Sequence, residues 1–221
     1  MAHQVKYPGR LIAVDSSRGK DVDAAAAAVA EALKRAGIES AISRWDASGL
    51  FSELAAAGRG DRTISVRTLS LVYAADLAFR LRWEIRPILE AGGVIIAAPY
   101  VETAVSFGGA CGVAEAWLRE LLRFAAPPQF RGRARERKID RPWKPRTDRG
   151  YGEYCAWLLG EAVSGITLKQ RRAMMTRLDQ ARGRANFTLT DKGIAALVKA
   201  VSGTRPAAAR SSPSQSRNAR K

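Results

Sequence analysis

Residues 94–100, VIIAAPY, form a strand-length run that carries no charge at any position. A strand covered on one side alternates apolar and polar side chains, whereas one that is apolar throughout needs cover on both faces. Parallel sheets flanked by helices supply that cover. Similar short apolar runs, separated by helical stretches, fill the first half of the chain. RLIAV (10–14) reads as a buried strand and ESAISRW (39–45) as a second. VDAAAAAVAEALKRAG (22–37) reads as a helix of strong formers, with Lys34 and Arg35 in its last turn and Gly37 as its stop. ISVRTLSLVYAADLAFRLRWEIRPILEAGG (64–93) reads as a long helix interrupted near Pro87, and VAEAWLRELLRFA (113–125) as another. Strand, helix, strand, helix, strand implies right-handed crossovers and a doubly wound parallel α/β sheet.

At 221 residues the chain holds one good-sized domain with additions, or two small ones. No apolar run approaches the roughly 18 residues that cross a bilayer. The start, MAHQVKYPGR, has no apolar secretory core. No membrane association and a cytoplasmic location are therefore expected. Cys111 and Cys155 form neither a metal pattern nor a disulfide framework and read as thiols in a reducing compartment. His3 is the one histidine, which removes Ser–His–Asp and Cys–His triads and His-rich metal sites. No catalytic residue, metal or cofactor is expected.

Charge divides the chain unevenly. Residues 1–126 carry 15 Lys and Arg against 14 Asp and Glu, while residues 127–221 carry 22 against 7. A near-neutral module is thus joined to a strongly basic portion, which points to a polyanionic partner, nucleic acid or an acidic protein. PPQFRGRARERKIDRPWKPRTDRGYG (127–152) lacks apolar periodicity and reads as a basic linker or exposed loop. Its Arg131, Arg133, Arg135, Arg137, Lys138 and Lys144 are interleaved with Trp143, a mixture suited to phosphate contact and base stacking. A helical region follows over 153–203: EYCAWLLGEAV (153–163), then TLKQRRAMMTRLDQARGR (167–184). The latter presents Lys169, Arg171 and Arg172 as polyanion contacts, with Met174 and Leu178 facing inward. ANFTL (185–189) reads as a short strand, with Thr190 capping a helix over 191–203. This last unit reads either as a wing with its helix or as the completion of the sheet. Residues 204–221 form a basic low-complexity tail, expected to be disordered.

Three blocks of the first half resemble the thymidylate kinase family of P-loop nucleoside monophosphate kinases. They are GRLIAVDSSRGKDVDAAAAAVAEALKRAGI, LVYAADLAFRLRWEIRPILEAGGVIIAAPYVETAVSFGGA and AWLRELLRFAAPP, in the family's order and spacing over residues 9–128. The resemblance implies a parallel sheet of P-loop kinase type, a nucleotide site after the first strand, and helices that allow a homodimer. A phosphate loop, G-x-x-x-x-G-K-[ST], turns backbone N–H groups toward phosphate, and its Lys and hydroxyl hold the β/γ oxygens and Mg²⁺.

In the family's register Ser16 and Asp21 stand at the glycines, Val22 at the lysine and Asp23 at the hydroxyl. Shifting the motif to Gly19 and Lys20 puts Val14 at the first glycine and Asp21 at the hydroxyl. Neither register is a working loop. Asp21 and Asp23 place carboxylates where phosphate would bind, and they suit a helix cap instead. At the third strand Ala98, Pro99 and Tyr100 replace the family's DRY, and Leu77 stands at an arginine. Arg44 and Tyr73 match the family's nucleotide-site arginine and base-stacking aromatic and read as remnants. The resemblance therefore implies an inactive kinase-like binding or assembly module. The alternative is an active dTMP kinase in which Lys20 reaches the phosphates and an arginine from 131–137 closes over them.

Overall fold

The computed structural model describes residues 7–17, 19–50, 53, 65–134, 167–181 and 186–203. Five strands are described: β1 (Arg10–Asp15), β2 (Ser40–Arg44), β3 (Val94–Ala98), β4 (Phe130–Ala134) and β5 (Asn186–Leu189). They form one all-parallel sheet in the order β2-β3-β1-β4-β5. Every residue of β1 and β3 is buried, as expected of strands with helices on both faces.

Successive side chains of β1 feed two separate cores. Ile12 and Val14 pack with Val22, Val29 and Leu33 of α1 (Gly19–Arg35) and with Leu197 and Val201 of α7 (Asp191–Gly203). Leu11 and Ala13 pack on the other face, against Leu69, Tyr73 and Leu77 of α2 (Val66–Arg80), Phe107 of α4 (Val101–Ala110), Leu118 of α5 (Glu115–Leu121), and Met174 and Leu178 of α6 (Leu168–Gln180). The doubly wound α/β architecture expected from the sequence is present.

Local chemistry sets the ends of these elements. Gly37 takes φ +72° after α1, and the Ile38 N–H returns to the Leu33 carbonyl at 2.9 Å, closing the helix as expected. The Ser65 hydroxyl caps α2 by accepting the Thr68 N–H at 3.1 Å. From there the helix continues through a π-helical turn (Leu81–Ile85) into α3 (Arg86–Glu90). The irregularity therefore lies one turn ahead of Pro87, which sits in the first turn of α3, where a missing N–H is tolerated.

Three features go beyond the sequence expectation. VETAVSFGGA folds as α4 despite its β-branched residues and paired glycines; Gly108 is where the Leu118 side chain seats, and a Cβ there would lie 2.8 Å from it. FRGRA, read as part of a basic linker, is instead the interior strand β4 between β1 and β5. Phe130 and Ala134 are buried, while Arg131 and Arg133 project between them and meet acidic partners. Finally, β5 and α7 complete this parallel sheet, so the wing alternative falls away. Residues 135–166 and 204–221, including the expected helix over 153–163 and the basic tail, lie outside the described residues. Among the described residues, no helix is long and apolar enough to cross a membrane.

Candidate functional site

In an open parallel sheet, ligands bind beyond the carboxyl ends of the strands, where neighbouring strands send their connections to opposite faces. Here that point lies between β1 and β3, which are adjacent and lead to α1 and α4 on opposite sides.

The β1 connection is short. Asp15 ends the strand and Gly19 opens the helix, with Ser16 and Ser17 buried between them. Gly19, Lys20 and Asp21 are already helical, so the span is shorter than a loop that wraps a phosphate. The side chain of Lys20 lies outside the described residues. Val22, at the position of the family's lysine, is 1% exposed and packs in the core. Asp23 faces outward and pairs with Arg44, Nε to Oδ1 at 3.8 Å. Partial burial raises the Asp23 carboxyl and the nearby Arg44 opposes that rise. Two residues singled out in the sequence thus meet each other.

The opposite side of the switch point is occupied by Asp15. Its Oδ1 accepts the N–H of Tyr100 at 3.0 Å, the N–H of Thr103 at 3.0 Å and the Thr103 hydroxyl at 2.7 Å. The α4 N-cap, Tyr100, contributes no side-chain cap. The N-terminus of α4, a natural anion site, is therefore filled by a carboxylate from β1. Burial pushes the Asp15 carboxyl up, its Thr103 hydrogen bond pulls it down, and Glu102 pushes it up again.

The strand end Ala98-Pro99-Tyr100 is wholly buried and carries no charge of its own. A guanidinium reaches it from α2 instead. Arg80, 0% exposed, donates Nε to Ser43 Oγ at 2.9 Å and Nη2 to the Ser43 carbonyl at 2.9 Å. Nη1 and Nη2 each donate to the Pro99 carbonyl at 3.1 Å. The Ser43 hydroxyl in turn donates to Glu84 at 2.6 Å. One turn earlier, Asp76 accepts the N–H groups of Asp46 and Ser48 and fixes the turn after β2.

Tyr73 does not offer its ring to a base. It is 0% exposed, and its hydroxyl donates to the Tyr100 carbonyl at 2.8 Å. The helical spacing that places Tyr73 on the inner face of α2 also carries Leu77 and Arg80 inward, a signal that could have marked Arg80 as structural.

The expected polyanion contacts are corrected in part. Arg131 bonds Glu102 at 3.1 Å, Arg133 pairs with Asp179, and Arg171 is 5% exposed, so three of these cations face the protein. Arg131 and Arg133 turn inward because Glu102 on α4 and Asp179 on α6 meet them. Arg172 is exposed. Arg135, Arg137, Lys138, Trp143 and Lys144 lie outside the described residues. A cavity of about 120 Å³ remains at the carboxyl ends of β1, β4 and β5, walled by Asp15, Glu102, Arg131, Arg133, Leu178 and Thr188 among others. Among the described residues no group of three or more His, Cys, Asp or Glu is placed to hold a metal. No protein-family model matches the chain, and no curated protein matches it.

Proposed function

We propose that this chain is a catalytically inactive protein of the thymidylate kinase type, acting as a binding or assembly module whose basic C-terminal half contacts nucleic acid. The observation that carries the first part is the Asp15 carboxylate on the N-terminus of α4, with Thr103 and Tyr100 as its donors. An incoming phosphate at this end of the sheet meets a fixed anion. A like-charge contact near 4 Å costs on the order of 1–4 kcal/mol. Val22 in the core and the short β1–α1 connection support the same reading, since a buried valine stands at the position of the family's lysine and the connection is shorter than a phosphate-wrapping loop.

The second part rests on charge. Residues 127–221 carry 22 cations against 7 acids. Arg131 and Arg133 are used internally, but Lys169, Arg172, Lys192 and Lys199 are exposed.

Fluorescence anisotropy with single-stranded and duplex DNA and with RNA, across a salt series, tests the nucleic-acid contact. The expected result is an affinity that falls steeply with salt, with a log–log slope of several units, because each neutralised phosphate contributes about 0.9 on duplex DNA. Salt-independent binding, or none at low salt, overturns it.

A further inference from the structure

The cavity at the carboxyl ends of β1, β4 and β5 is independent of the kinase resemblance and has its own chemistry. Leu11 and Ala13 of β1 face the α2, α4 and α6 side of the sheet, and by alternation so does Asp15. The parallel register sets Ala13 beside Arg131 and Asp15 beside Arg133, which puts one carboxylate and two guanidiniums on the same face. α4 contributes Glu102, α6 contributes Leu178, and Ala181 follows at the C-cap of α6.

These charges are not evenly partnered. Glu102 holds Arg119 and Arg131, and Arg133 holds Asp179. Asp15, 6% exposed, uses Oδ1 for three hydrogen bonds, all from neutral donors. Among the described residues, nothing donates to its Oδ2 and no cation pairs with it. Buried carboxylates are ordinarily paired, because removal from water is costly without a counter-charge. Arg131 has the complementary surplus. It meets Glu102 through Nη1 alone, and among the described residues its Nε and Nη2 have no acceptor. An unclaimed acceptor and unclaimed donors therefore border one small space.

The space is open to solvent on one side and holds only a small molecule within its walls. A cavity of about 150 Å³ accommodates benzene, so 120 Å³ suits a molecule of about five heavy atoms. We propose that this cavity binds a small zwitterion, an amino acid of glycine size, with its ammonium on Asp15 Oδ2 and its carboxylate on Arg131. The ammonium supplies the counter-charge that Asp15 lacks, and the carboxylate takes the donors that Glu102 leaves free.

Amide NMR of the full chain titrated with glycine, ethylammonium and acetate provides the test. Glycine is expected to shift the Tyr100 and Thr103 amides, which report on Asp15, saturably at millimolar concentration. Ethylammonium is expected to bind more weakly and acetate not at all. Asp15→Asn keeps an oxygen for the α4 cap but removes the charge, and is expected to weaken glycine binding by about tenfold or more, the loss of one charge-assisted contact. Ala181→Leu fills the cavity without altering Asp15 and serves if the first variant does not fold; it is expected to abolish binding. Absence of saturable shifts, shifts that persist in the folded variants, or equal binding of ethylammonium or acetate would each overturn the proposal.

Discussion

The carboxylate of Asp15 accepts both the main-chain N–H and the hydroxyl of Thr103, at 3.0 and 2.7 Å, across 88 residues of sequence. One group thereby ties the end of β1 to the start of α4 and removes from solution the helix N-terminus best placed to receive an anion. The same carboxylate has a fold role, capping orphan N–H groups, and under the proposed function it is the anion that an incoming phosphate would meet.

Asp15 gives the protein a distinctive pH response. Burial raises its folded-state pKa above the ordinary 3.8, so the folded chain keeps a proton that the unfolded chain has released. The unfolded state binds fewer protons in that window. This contribution to stability is therefore full at and below pH 3.8 and is lost as pH rises to the folded-state value, then stays constant. Urea unfolding of the wild type and Asp15→Asn over a pH series should show the wild-type stability falling relative to the variant through that window. A relative rise with pH contradicts the assignment.

Arg80 is expected to be among the costliest residues to replace. Arg80→Met removes the guanidinium donors from the buried Ser43 and Pro99 carbonyls, at about 1–3 kcal/mol for each group left unsatisfied. Chemical denaturation should show a loss of about 3 kcal/mol. Arg80→Lys, which cannot reproduce the fork, should recover only part of it. A loss below about 1 kcal/mol for the methionine variant would refute the role given to this network.

Gly193 in the first turn of α7 lies against β5. A Cβ at this position would fall 1.7 Å from the Thr188 carbonyl oxygen, a backbone atom that cannot swing aside. Gly193→Ala should cost about 1–3 kcal/mol or more. Gly203→Ala, at the open end of the same helix with nothing within 4 Å, should be neutral or slightly stabilising. Thermal melts of the two variants check the contrast; equal melting temperatures would mean that α7 is not packed as described.

What the sequence made legible was set by local signals. VIIAAPY and RLIAV announced their two covered faces, and Gly37 announced the end of α1. β4 was hidden because its pattern depends on partners elsewhere in the chain. Arg131 and Arg133 look like solvent-facing charge until Glu102 and Asp179 are brought to them. α4 was hidden because burial against the sheet, rather than helix propensity, stabilises it. At the site, Asp21 and Asp23 stand out in the sequence as the helix-end acids, whereas the anion that fills a helix N-terminus is Asp15, to which no sequence signal pointed. Tyr73 kept the residue type of a base-stacking position but is enclosed by the core.

Under the proposed function, the carboxyl end of this sheet does not take nucleotide phosphate. Calorimetric titration of the full chain with ATP–Mg²⁺, followed by dTMP, tests it most directly. No saturable heat is expected from ATP–Mg²⁺. Saturable binding, with turnover when dTMP is added, would contradict it and assign to Lys20 the phosphate contact that Asp15, Val22 and the short β1–α1 connection argue against.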